Sequence, residues 1–311
     1  MPALVTHYIF ATETAAHAAS PLAEIISADN DAFLWGAQGP DILFFHHPLR
    51  KNTVSRLGHA MHDRYIAHTF SVLAQECARH NNPSAAAYLL GFCCHYALDR
   101  TVHPFVTYLV QYRLDPQYPT LSYSSLHHLC ESEMDRILIV DRGLRVPNSR
   151  KHGAALPAHR LLTYSPQVRD AAAQLLSAAA RETYGVRLSS RQVTRSMRSM
   201  LQITHALQNP TGRRASRVAA LEKLFHSEGM FSSLMRPYAP LPVDCTNRNH
   251  AAWTDAATPH LRRYESFPDL MKRAEQTALR LMDCSCQAVQ HGTRLPPELF
   301  SLNYLGLTEW R

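Results

Sequence analysis

In "YLLGFCCHYALDRTVHPF", residues 88–105, an apolar run carries His95, Asp99 and His103 at intervals of four. On a helix, that spacing puts neighbouring side chains ~6 Å apart along the axis and roughly 40° apart around it, so the three form one slanted stripe. A carboxylate buried between imidazoles is costly unless its charge is compensated. A metal ion does this, and a hydrogen-bonded Asp–His pair is the rival reading.

The same chemistry recurs nearby. Twelve of the nineteen histidines lie in the first 131 residues. His7 stands in "ALVTHY", Asp41 in "GAQGPD", His59 and His62 in "GHAMHD", and His127, His128, Glu131 and Asp135 in "LHHLCESEMD". His127 and Glu131 are again four apart, which puts them on one helical face. "GAQGPD" reads as a Gly/Pro turn presenting a carboxylate; it lacks the lysine and the strand-to-helix context of a phosphate loop.

The elements that must position these groups read as helices. Helix formers with apolar spacing of three and four cover about 14–28, 53–80, 84–103, 122–140, 166–183, 189–208 and 258–290, while alternating strand patterns are scarce. The expected class is all-α. Ser84 is the expected cap of the 84–103 helix, and Pro104 should stop or kink it at His103. With no linker or low-complexity run, residues 1–311 are expected to form a single domain, with 1–145 bearing the metal site and 146–311 as a helical elaboration of undefined role.

Composition excludes several classes. With 46% hydrophobic and 18% charged residues the chain is globular rather than disordered. No export signal and no long uninterrupted apolar run is seen, so a cytoplasmic location is expected. The seven cysteines form no secreted-type framework and are expected to be inert buried thiols. A net charge of +7 favours anionic partners.

Taken in order, His7, "GAQGPD", "GHAMHD", the His95–Asp99–His103 stripe and His127–Glu131 resemble the bacterial zinc-dependent phospholipase C family, over about the first 140 residues. That family is related to fungal single-strand zinc nucleases. The resemblance implies an all-α bundle and a cluster of zinc ions, three in number. It implies His7, Asp41, His62, His95, Asp99, His103, His127 and Glu131 as ligands, with Asp99 bridging two ions and Asp41 handling a proton of the attacking water. His62 is preferred over His59, and His127 over His128. Pro2, whose amine is exposed once Met1 is removed, together with His59, His128 and His47, are further ligand or supporting candidates. Secreted members use an N-terminal tryptophan where this chain begins Met1-Pro2.

The implied activity is that of a zinc-dependent phosphoric diester hydrolase, in which a metal-bridging hydroxide attacks the phosphodiester of a phospholipid at a membrane surface or of a similar substrate. Zinc lowers the pKa of bound water from about 15.7 to about 7. Alternatives are a single-strand nuclease or an HD-like phosphohydrolase built on His62-Asp63, and below these a non-catalytic metal-stabilised binding protein. Nucleic acid ranks behind lipid as partner. Phe33, Leu34, Trp35, Phe44 and Phe45 flank the Asp41 loop as candidate substrate contacts or as packing.

Overall fold

The computed structural model describes residues 3–144, 156 and 160–308. Helices dominate: α1 (Leu4–Ala16), α2 (Leu22–Ala28), α3 (Asn30–Gly36), a 3-10 segment (Gly39–Phe45), α4 (Thr53–Asp63), α5 (Ile66–His80), α6 (Pro83–Leu109), α7 (Tyr123–Asp141), α8 (Pro166–Tyr184), α9 (Ser190–Ala206), α10 (Arg213–Leu224) and α11 (Phe267–His291). Among the described residues the one sheet is an antiparallel hairpin of β1 (Trp253–Asp255) and β2 (Thr258–Arg263). The class is all-α.

Several boundaries differ from the sequence reading. The first helix spans Leu4–Ala16 rather than 14–28, because Pro21 supplies no amide to continue it and α2 starts afresh at Leu22. The expected 53–80 helix is two, separated where Arg64 is extended and Tyr65 adopts φ 61°. Residues 258–263, expected helical, pair with β1, and α10 was not anticipated. Asn82, not Ser84, caps α6: its Oδ1 accepts from the amides of Ser84 (3.1 Å) and Ala85 (3.4 Å), while the Ser84 hydroxyl donates to Asp29. Nor does α6 stop at His103. It runs through Pro104 to Leu109, because buried Val102, Phe105, Val106 and Leu109 hold the flanking turns and outweigh one lost hydrogen bond.

The chain divides into two compact units. One comprises described residues within His7–Thr101, Leu161–Gln202 and Met271–Arg311. Its core is the first part of α6, where Tyr88, Leu89, Phe92, Cys93 and Tyr96 are fully buried. Phe70 of α5 packs on Phe92 and Tyr96, and Phe300 from the C-terminal segment closes over Phe70 and Tyr96. There α3 and α6 cross at near-backbone contact. A Cβ on Gly91 would lie 1.9 Å from the Phe33 carbonyl oxygen, and one on Gly36 would lie 2.0 Å from that of Tyr88.

The other unit comprises described residues within 1–6, 102–160 and 203–270. Its α7 is buried along much of its length and carries an internal Glu133–Arg136 pair, bidentate at 2.6 and 2.7 Å. Asp135, also on α7, accepts from the amides of Val5 and Thr6 and from the Thr6 hydroxyl (3.3, 2.8 and 2.8 Å). It thereby satisfies donors of the first turn of α1 that no helical carbonyl can reach. Burial pushes its carboxyl up to about 6, against the pull of Arg236 and of these donors.

Gly91→Ala drives a methyl group into the main chain of α3. It is expected to destabilise the protein by about 3 kcal/mol or to prevent folding, read as a lower midpoint in urea denaturation. An unchanged midpoint refutes this close crossing.

Candidate metal centre

Imidazole and carboxylate side chains form three groups among the described residues, each with its ligand atoms within 4.8 Å of one another. The first joins His7 of α1 to His95 and Asp99 of α6. The His7 Nε2 lies 3.2 Å from Asp99 Oδ1, the His95 Nε2 3.4 Å from Asp99 Oδ2, and the two rings stack at 4.2 Å. The second brings Asp41 from the 3-10 segment and His62 from α4 to His95, with His62 Nε2 3.1 Å from Asp41 Oδ1. The third joins His103 of α6 to His127 and Glu131 of α7, at 3.5 and 3.2 Å from Glu131 Oε1.

Local sequence explains the first two groups. Gly39 adopts φ 52°, a left-handed conformation open to glycine, and a Cβ there would lie 2.2 Å from Cδ2 of His95. The Gly39-Pro40 turn thus both swings Asp41 inward and leaves space for the His95 ring. Asn52 and Ser55 form a reciprocal capping box that starts α4, which delivers His62 from its last turn.

The hydrogen bonds fix which ring nitrogens can take a cation. His95 Nδ1 lies 3.1 Å from the carbonyl of Ala37, and His62 Nδ1 lies 2.7 Å from that of Gly58. A carbonyl only accepts, so both Nδ1 atoms carry the proton. Burial first, then His7, pulls the pKa of His95 down to about 3 despite Asp99 and Asp41, so the ring is neutral and its buried Nε2 bears a lone pair. That Nε2 makes no hydrogen bond and faces a carboxylate oxygen. Two electron-rich atoms in a dry site are stabilised by a cation between them. Main-chain anchoring of Nδ1 is also how metal-bound histidines are usually held. The donor set of imidazole nitrogens and carboxylate oxygens suits zinc.

Asp41 and Glu131 are ionised. Burial raises the Asp41 pKa, but the His62 hydrogen bond and the nearby His95 outweigh it and hold the carboxyl at about 2. Burial likewise opposes ionisation of Glu131, yet His127 and His103 keep it well below the usual range. His95 Nε2 belongs to two of the groups, and one lone pair serves one ion, so those groups cannot both be filled as separate three-ligand sites.

The remaining candidates lie elsewhere. His59 packs on Phe44 at 4.6 Å, and burial lowers its pKa. His47 Nε2 lies 3.0 Å from an Arg195 guanidinium nitrogen, and the His128 ring stands edge-on to that of His127. None of these three belongs to the groups. Pro2 lies outside the described residues. Asp63, needed for an HD-type pair, faces the Asn303 amide at 3.5 Å and is in none of the groups. Of the large apolar residues flanking Asp41, Phe33, Leu34, Trp35 and Phe45 are buried packing, and the Trp35 indole donates to the Thr163 carbonyl. Phe44 is half-buried and stacks on His62 at 5.3 Å.

Sequence reasoning missed Tyr304. It is buried, its ring lies 4.8 Å from His62 and 5.6 Å from His95, and its amide donates to the His62 carbonyl. No spacing signal could have linked it to residues more than two hundred positions earlier.

A family model described as zinc dependent phospholipase C matches residues 6–182, more than half of the chain. The chain belongs to the zinc-dependent phospholipase C family. The match extends past the 140 residues of the sequence resemblance to take in nearly all of α8, and the three zinc-family side-chain groups lie within it. No curated protein and no solved structure matches the chain. No helix of the described residues is long and apolar enough to cross a membrane.

Asp99→Asn tests the lone-pair conflict without reference to activity. The amide can donate to His95 Nε2, so the metal-free variant is expected to be at least as stable as metal-free wild type in thermal unfolding, and to lose the stabilisation that added zinc gives wild type. A variant still stabilised by zinc to the wild-type extent overturns this account.

Proposed function

We propose that the chain is a zinc-dependent phosphodiesterase that cleaves a phospholipid on the glycerol side of its phosphate. The observation carrying this reading is the buried Nε2 lone pair of His95, its Nδ1 anchored on a main-chain carbonyl, presented to a carboxylate oxygen of Asp99, in a chain whose family is zinc-dependent. His7, Asp41, His62, His95, Asp99, His103, His127 and Glu131 are the proposed ligands. His7, His95 and Asp99 would hold zinc together, Asp99 presenting Oδ1 towards His7 and Oδ2 towards His95.

Bound zinc supplies Lewis acidity towards a phosphoryl oxygen and lowers the pKa of coordinated water. The chain's own residues do the rest. Asp41, with more of its side chain accessible than Asp99 or Glu131, accepts a hydrogen bond from the attacking water at a carboxylate oxygen and orients it for in-line attack. The proton leaves through the same oxygen; a carboxyl held at about 2 is a weak base, so Asp41 contributes mainly by position. His62, held through Nδ1 on the Gly58 carbonyl, keeps its Nε2 3.1 Å from Asp41 Oδ1 and so holds Asp41 in place. Tyr304 walls the far side of His62 and His95 and excludes bulk water.

The test combines elemental analysis, anomalous scattering at the zinc edge and assay of phospholipid head-group release. About three zincs per chain and activity abolished by chelator and restored by zinc are expected; less than one metal per chain after metal-replete purification refutes the proposal. Asp41→Asn should lower kcat by roughly 10²–10⁴-fold. Cleavage of single-stranded nucleic acid without lipid turnover would reassign the substrate.

A further inference from the structure

Residues 221–231, beyond the stretch matched by the family, form an ordered loop that holds large apolar side chains out into solvent. Leu224 and Phe225 are 72% and 73% exposed, Leu221 58% and Met230 55%, and Phe231 is exposed as well. Singly exposed apolar residues are ordinary, but a contiguous group marks an interaction surface.

The loop is built rather than slack. Glu222, almost fully buried at the end of α10, accepts from the amides of Gly229 (3.1 Å), Ser232 (3.0 Å) and Phe231 and from the Ser232 hydroxyl (2.6 Å). Glu228 accepts from the Thr120 hydroxyl at 2.7 Å, and Gly229, at φ 76°, sits so close to Leu121 and Ser125 that a Cβ would lie 2.8 Å from each. A buried carboxylate bound by four donors closes the turn while the apolar side chains stay outside.

Charge selects the partner. On α10, Arg217, Leu221 and Leu224 follow at intervals of four and three and share one face. Exposed Arg213 and Arg217 lie behind the apolar tip and exposed Lys223 beside it. Arg217 stands about 10 Å along the axis from Leu224. An amphipathic element at a bilayer buries its apolar side about 5–10 Å into the headgroup and acyl boundary, which brings such a cation to the level of the lipid phosphates. The acidic side chains of the loop, Glu222 and Glu228, are turned into the fold by hydrogen bonds, and two carboxylates against three exposed cations leave the tip net positive.

We propose that the 221–231 loop is a membrane-docking tip that inserts Leu224, Phe225, Met230 and Phe231 into an anionic lipid surface, with Arg213, Arg217 and Lys223 against the lipid phosphates. The proposal rests on the loop alone and is independent of the ligand assignment.

Co-sedimentation of the full-length, zinc-replete protein with vesicles tests it, read before measurable lipid turnover. Wild type should partition more strongly onto vesicles containing phosphatidylglycerol than onto phosphatidylcholine alone, and less so as salt rises. The double variant Leu224→Ser, Phe225→Ser should lose roughly tenfold or more in partition, each side chain giving up apolar burial, with unchanged circular dichroism and unchanged turnover of a short-chain, water-soluble phosphodiester. Arg217→Glu should lower binding to the anionic vesicles and leave the neutral ones unaffected. Equal partition of wild type and double variant overturns the proposal. So does a dimer that the double variant dissolves, since the tip would then be covered by a second copy. Loss of short-chain turnover in the Asp41 variant with vesicle binding intact separates the site from the tip.

Discussion

Two imidazoles pinned through Nδ1 to main-chain carbonyls set the terms for everything around them. Once Ala37 and Gly58 hold those protons, His95 and His62 have only Nε2 to offer, and each Nε2 points at a carboxylate. In water the arrangement would be harmless, but His95 is wholly buried and Asp99 nearly so, and an interior has little dielectric response to soften contact between acceptors. The contact between His95 Nε2 and the Asp99 carboxylate is therefore an electrostatic conflict that positive charge relieves. An ion bound there would place part of the folding free energy under its control, as linkage between ligand and native state requires.

Such a conflict persists only if the scaffold cannot relax around it, and the glycines show how little slack there is. Gly36 and Gly91 let α3 and α6 approach to backbone contact, and Gly39 lets the turn carrying Asp41 lie against the His95 ring. Packing at interior density removes the rotamers by which either ring could turn away. The Asp135 carboxyl at the first turn of α1 adds a further restraint one residue before His7.

What was legible in the sequence was whatever is periodic or local. His95, Asp99 and His103 at intervals of four, and His127 with Glu131, declare their shared faces through helix geometry alone. The bounds of α8 were readable because Ser165-Pro166 and Gly185 are start and stop signals, and the hydroxyl of Ser165 does accept from the Val168 amide. The break between α4 and α5 was hidden because Tyr65 takes a left-handed conformation without glycine or proline to announce it. Pro104 misled in the opposite sense: a local rule favouring helix termination yielded to burial of the turns on both sides. The contacts of Gly39 with His95 and of Tyr304 with His62 depend on tertiary approach, which no spacing encodes.

The position of Tyr304 near the end of the chain bears on the order of assembly. The first eight helices and their imidazoles leave the ribosome long before the residue that walls His62 and His95. Until the last segment arrives, Phe300 does not cover Tyr96 and the Tyr304 ring does not shield the site. The dryness of the site is thus supplied by side chains about two hundred positions away in sequence, and a Tyr304→Ala variant would leave His62 and His95 open to water on that side.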